Sequence, residues 1–281
     1  MFDFMNFCLF LCEILLIFRH FRSIMGSIKE NGGHCMGESI AVLSGKGGTG
    51  KTSVCAGLAV ALASAGKKVL CIDCDVGLRN LDISLGMTDS GALSFAEILD
   101  GSYGLNAASR HPRFPNLRFL TAPIRCQAEN VDADAFRDMV SAARELYDYV
   151  FLDAPAGLDA GFRLAARFAN RILLVTGADP ASVRDAARTG EVLEQMGKRN
   201  VRLVVNRVDP RLITTMATTV DDVMDDTGLP LLGIVPDDRN VVLAAAFGQC
   251  LLDYARRCPA SKAFRAIAQR VQGFYEPLSI K

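Results

Sequence analysis

Seven short apolar runs, each followed by a helical pattern, constrain this chain more than anything else in it: "SIAVLS" from residue 39, "KKVLCID" from 67, "NLRFLTAP" from 116, "YVFLD" from 149, "RILLVT" from 171, "VRLVVNR" from 201 and "LLGIVP" from 231. They lack the strict apolar–polar alternation of a sheet with one wet face, so they read as strands buried on both faces. The stretches between them carry helical spacing, as in "TSVCAGLAVALASAG", "SFAEILDG", "DADAFRDMVSAARELYD", "AGFRLAARFAN", "PASVRDAARTGEVLEQMG" and "TVDDVMDDTG", with a closing helix around residues 260–273. Strands alternating with helices imply right-handed βαβ units and an α/β fold: a mostly parallel twisted sheet with helices on both faces. Ligands of such sheets bind beyond the carboxyl ends of the strands.

At that end of the first run lies "GKGGTGKT", Gly45 to Thr52, which fits G-x-x-x-x-G-K-[ST]. Glycines let backbone N–H groups turn inward around a phosphate, and the helix that follows adds the partial positive charge of its N-terminus. The candidate cradle is Gly45, Lys46, Gly47, Gly48, Thr49, Gly50, Lys51, Thr52 and Ser53. In this loop type Lys51 reaches the outer phosphates and the Thr52 hydroxyl ligates Mg²⁺. Two more strand ends supply carboxylates: Asp73 and Asp75 in "CIDCDVGLRNLD", and Asp153 in "VFLDAPAG". Paired acids there can support Mg²⁺ and orient an attacking water. A lone strand-end Asp is as readily a turn or cap residue. Three of them converging on one crevice favour the chemical reading.

Composition excludes several classes. With 31 basic and 31 acidic residues the chain is formally neutral, so no global field draws it to nucleic acid. Its nine cysteines are scattered without regular spacing, which argues against a disulfide framework and for a reducing cytosol. Cys71 and Cys74 form a C-x-x-C, but within an apolar run, so they read as packing residues. The chain divides into an apolar extension and linker over 1–35, one domain over 36–275 and a tail over 276–281. The opening "MFDFMNFCLFLCEILLIF" is interrupted by Asp3, Asn6 and Glu13 and has no basic start or cleavage site, so it is a poor membrane span and a poor signal peptide. Met36 sits just before the first strand, and translation starting there is the favoured reading of the extension.

The loop has one lysine more than the generic pattern needs. Lys46 lies one residue into it, where its ammonium would not easily fold back onto phosphates already met by Lys51. Here the sequence resembles the deviant Walker A P-loop ATPases, the MinD/ParA/Mrp family, whose loop reads K-G-G-x-G-K-[ST]. Over residues 38 to about 275 the resemblance is to the MinD branch, through "DVGLRNLD" (75–82) at switch I, "DAPAGLDAGF" at switch II and "VTGADPASVRDAAR" after it. It implies a SIMIBI-type P-loop fold and hydrolysis of ATP with Mg²⁺. It further implies a homodimer on ATP binding, in which Lys46 crosses to the partner's phosphates, and a MinC-like or other positioning partner. By position, Asp75 positions the hydrolytic water, Asp73 and Asp153 support the metal with Thr52, Asn206 contacts the base with Arg207 next to it, and Pro236 and Asp237 of "GIVPDD" lie near the base. The family's setting is cytoplasmic, peripheral at the inner face of the plasma membrane. This sequence departs from it by stopping at "GFYEPLSIK", where the linker to a basic amphipathic helix begins in MinD. The stretch "PASKAFRAIAQRVQGF" is amphipathic, with Phe264, Ile267, Ala268 and Val271 on one face, and reads first as the last helix covering the sheet.

Two rival readings share the loop. A ParA-like DNA-positioning ATPase would use Arg256, Arg257, Lys262 and Arg265 as a basic surface. An Mrp-like iron–sulfur carrier would need paired cysteines, for which the eight-residue spacing of Cys250 and Cys258 is poor.

Overall fold

All seven apolar runs become strands. The computed structural model describes residues 36–76, 79–88, 90–123, 128–209 and 220–278; the apolar start over 1–35 and Gly77–Leu78 of the switch I stretch lie outside them. Strands β1 (Glu38–Leu43), β2 (Val69–Asp73), β3 (Ser109–Arg110), β4 (Leu117–Leu120), β5 (Tyr149–Asp153), β6 (Arg171–Thr176), β7 (Val201–Val208) and β8 (Leu231–Pro236) form one sheet in the order β3-β4-β2-β5-β1-β6-β7-β8. All pairs are parallel except β3–β4 at the edge. The two-residue β3 has no apolar run to announce it and was not expected.

Alternate residues of each strand enter alternate cores. Ile40, Val42, Cys71, Phe151 and Val204 face α1 (Lys51–Ser64) and α10 (Pro259–Val271). Ala41, Leu43, Ile72, Leu152 and Val205 face α4 (Ala133–Leu146), α5 (Ala160–Phe168) and α6 (Pro180–Gln195). Apolar demand on both sides explains the missing alternation in the sequence. The remaining helices are α2 (Leu81–Leu85), α3 (Ala96–Leu99), α7 (Val220–Thr227), α8 (Arg239–Ala246) and α9 (Leu251–Tyr254).

Helix α1 is apolar all round because it is covered all round. It lies between the sheet and α10 so closely that a Cβ on Gly57 would sit 2.7 Å from Phe264 Cγ. Phe264, Ile267, Ala268 and Val271 of α10 are all buried. The amphipathic face read in the sequence is therefore spent on the core. Among the described residues no helix is long and apolar enough to cross a membrane. Cys71 and Cys74 are buried free thiols, as packing requires.

Candidate nucleotide site

The loop Gly45–Gly50 leaves β1 and enters α1 at the carboxyl edge of the sheet. Gly48 and Gly50 hold φ of 83° and 81°, a region that favours glycine. Gly45 is pressed on α6: a Cβ there would lie 2.7 Å from Asp185 O and would collide with Thr189 Oγ1. On the other flank, Asn206 Nδ2 donates to Thr49 O at 2.7 Å and Arg207 Nη1 to Gly48 O at 3.2 Å.

Register brings the carboxylates together. Asp73 of β2 and Asp153 of β5 are paired positions on adjacent strands, and both are buried. Lys51, also buried, places Nζ 3.3 Å from Asp153 Oδ1. Burial pushes the Asp153 carboxyl up; the Lys51 ammonium and a hydrogen bond from Thr52 oppose it. Among the described residues Asp73 has no cation of its own. Burial, then the neighbouring Asp153 charge, lift it to about 7, although Asp75 N–H and Leu81 N–H donate to its two oxygens at 2.9 and 3.3 Å. Half-buried Asp75 is raised by burial and held back by Lys51.

Two clefts flank the loop, and Lys46, Gly47, Gly48 and Thr49 line both. One, of about 440 Å³, adds Lys51, Thr52, Ser53, Asp75 and Asn80. The other, of about 530 Å³, adds Asp179, Ser182, Asn206, Arg207 and Asp237. The residues fit a metal-bound nucleotide on two counts. Thr49 Oγ1 is buried with no partner among the described residues. Thr52 and the buried Asp153, whose carboxylate is met by Lys51, are oxygen donors of the kind Mg²⁺ takes in small number, its shell being completed by phosphates and water.

Comparison with known proteins agrees. Residues 40–252 match the model of the CobQ/CobB/MinD/ParA nucleotide binding domain. The chain belongs to that MinD/ParA family. It is similar to the septum site-determining protein MinD of Synechocystis, with 35% identity over 85% of this chain and 90% of that one. Against MinD of Bacillus subtilis the figures are 36%, 87% and 92%. Among solved structures, MinD in a MinC:MinD cell division complex from Aquifex aeolicus superposes with a TM-score of 0.79 at 34% identity, covering 86% of this chain and 98% of that one. MinD from Pyrococcus horikoshii, solved with Mg-ADP, gives 0.73 at 27%, covering 84% and 96%.

Within this MinD/ParA frame, most residues singled out in the sequence meet at the loop: Gly45 to Ser53, Asp73, Asp75, Asp153, Asn206, Arg207 and Asp237. Lys46 stands exposed at the rim, close enough for its charge to help hold Asp179 below the usual carboxylate range, behind the larger effect of the Ser182 hydrogen bonds. Three placements add contacts that the sequence did not indicate. Pro236 lines a cleft with Lys262, Arg270 and Pro277, and pairs with Val208, which lines the cleft beside the loop. Asp73 accepts from Asp75 N–H and Leu81 N–H. Asn206 Nδ2 donates to the loop's own backbone. Thr189 and Asp185, which seat Gly45, were missed; only the small residue at Gly45 hints at them.

Proposed function

We propose that the chain is a Mg²⁺-dependent ATPase switch of the MinD type: ATP binds in the loop, two copies close face to face, and hydrolysis separates them. The observation that carries this reading is the division of labour between the lysines. Lys51 is buried and engaged with Asp153, so its ammonium serves the cradle from within, whereas Lys46 points to the rim, where a second copy would present its phosphates. Lys51, Thr52 and Asp153 would hold the metal–nucleotide pair, and bound Mg²⁺ would neutralise charge developing on the phosphates. Asp75, half-exposed in the cleft beside Lys51, is the group to orient the attacking water. The MinC:MinD neighbour supports a MinC-like partner for the closed dimer, in placing a division site or another cargo.

The rival readings find less support. Cys250 is buried, and Cys258 caps α10 by accepting from Ser261 N–H, so neither is offered to a shared cluster. Arg265 donates to Arg256 O, which ties down part of the basic surface a DNA-binding role would use.

Lys46→Ala tests the proposal. Light scattering with Mg-ATP should show wild-type dimers and variant monomers, while Mg-ADP affinity changes less than threefold (about 0.6 kcal/mol). Dimers that form equally well in the variant would refute the cross-subunit role.

A further inference from the structure

Asn206 and Arg207 are consecutive residues of β7, so on a regular strand their side chains would point to opposite faces of the sheet. Here both reach the same loop. The pairing of β7 with β8 explains how: Val205 faces Ile234 and Val208 faces Pro236, so one more residue stands between the partners on β7 than on β8. That is a β-bulge, a device that re-aims side chains beside functional sites. Arg207 sits in it with φ 57°, one of two described non-glycine residues in the left-handed region. For a long side chain this conformation costs free energy, and it persists where the surroundings over-determine it.

What the bulge achieves is two adjacent hydrogen bonds, from Arg207 Nη1 to Gly48 O and from buried Asn206 Nδ2 to Thr49 O. In a trans peptide the carbonyl and the following N–H point opposite ways. Drawing the Gly48 and Thr49 carbonyls toward β7 therefore turns the Thr49 and Gly50 N–H groups toward the cradle. We infer that Asn206 and Arg207 are positioning residues, a two-pronged clamp that pre-orients two phosphate-binding N–H donors before any ligand arrives. The clamp acts on the loop and hence on the phosphate end of a ligand, whatever contact Asn206 also makes with a base. Gly50 is seated directly against this prong: a Cβ there would collide with Asn206 Nδ2. Ion pairing with Asp237, 3.7 Å from Arg207 Nε, keeps the second prong over the loop.

This inference rests on the nucleotide reading above, and its test separates the two. Calorimetric titration of the full chain would compare Mg-ADP with Mg-tripolyphosphate, a probe that has phosphates and no base, across wild type, Asn206→Ala, Arg207→Ala, Arg207→Gly and Arg207→Lys. Arg207→Gly removes the prong while relieving the backbone, so it guards against misfolding as the cause of any loss. The clamp predicts about tenfold weaker tripolyphosphate binding for each truncation, as expected for one lost hydrogen bond. Arg207→Lys should restore most of it, and Arg207→Ala should lose the same factor with ADP as with tripolyphosphate. Wild-type tripolyphosphate affinity in Asn206→Ala and Arg207→Gly, with only ADP weakened, would overturn the clamp and leave a base contact in its place. A wild-type chain that binds neither probe would overturn the nucleotide reading itself.

Discussion

Asp73→Asn should make the metal-free protein more resistant to unfolding at alkaline pH, and the structure says by how much. Asp73 is 1% exposed, shares its strand position with Asp153, and titrates near 7 in the folded chain against an ordinary 3.8. Between those values the folded state holds a proton that the unfolded chain has released, so stability falls as pH rises through the window and levels off above about 7. From pH 5 to pH 8 the loss attributable to Asp73 is about 2–3 kcal/mol, a sizeable share of the 5–15 kcal/mol typical of a domain. Asparagine copies the shape of the protonated acid and cannot ionise. It keeps one acceptor for Asp75 N–H or Leu81 N–H and gives up the other, at a cost of about 1 kcal/mol that does not vary with pH. Urea unfolding in chelator-treated buffer should therefore show the variant gaining on wild type by about 2 kcal/mol between the two pH values. If the two stabilities run parallel, Asp73 is not the strained acid described here.

Two further outcomes follow from packing and charge. Gly57→Ala should destabilise by about 1–3 kcal/mol, read as a lower melting temperature, because the new methyl meets the Phe264 ring and α10 must shift. Lys51→Ala should abolish Mg-ADP binding and cost about 3 kcal/mol where Asp153 stays ionised and is left buried without its cation; because burial raises the Asp153 carboxyl, the deficit should shrink as pH falls and it takes up a proton.

The parallel strands and the phosphate loop were legible because each obeys a local rule. A strand buried on both faces is apolar throughout, and a phosphate cradle needs glycine at fixed offsets from a lysine. The short α2, α8 and α9 and the two-residue β3 carry no comparable signature, being held by their neighbours: Arg113 donates to Asp253 across 140 residues of sequence, tying the β3–β4 turn to α9. At the site, residue types converging on a strand edge could be read, but not the contacts that hold them. Asp73 looks in sequence like a second metal carboxylate; the register with β5 and the return of the chain at Leu81 add that it grips a loop. Asn206 and Arg207 look like a base-side pair, because a bulge depends on what β8 does 28 residues later and leaves no trace in "VVNR".

The buried pairing of Lys51 with Asp153 has a thermodynamic corollary. An incoming polyphosphate that attracts the ammonium strips the carboxylate of its counter-charge inside a low-dielectric wall, a penalty that a divalent ion can cancel. Occupancy by the two ligands of the proposed function would thereby be linked: each would raise the other's affinity by an equal factor, as reciprocity demands. On the proposed function, an anion without a cation would meet a lysine already engaged with Asp153, and the pocket would open to the pair.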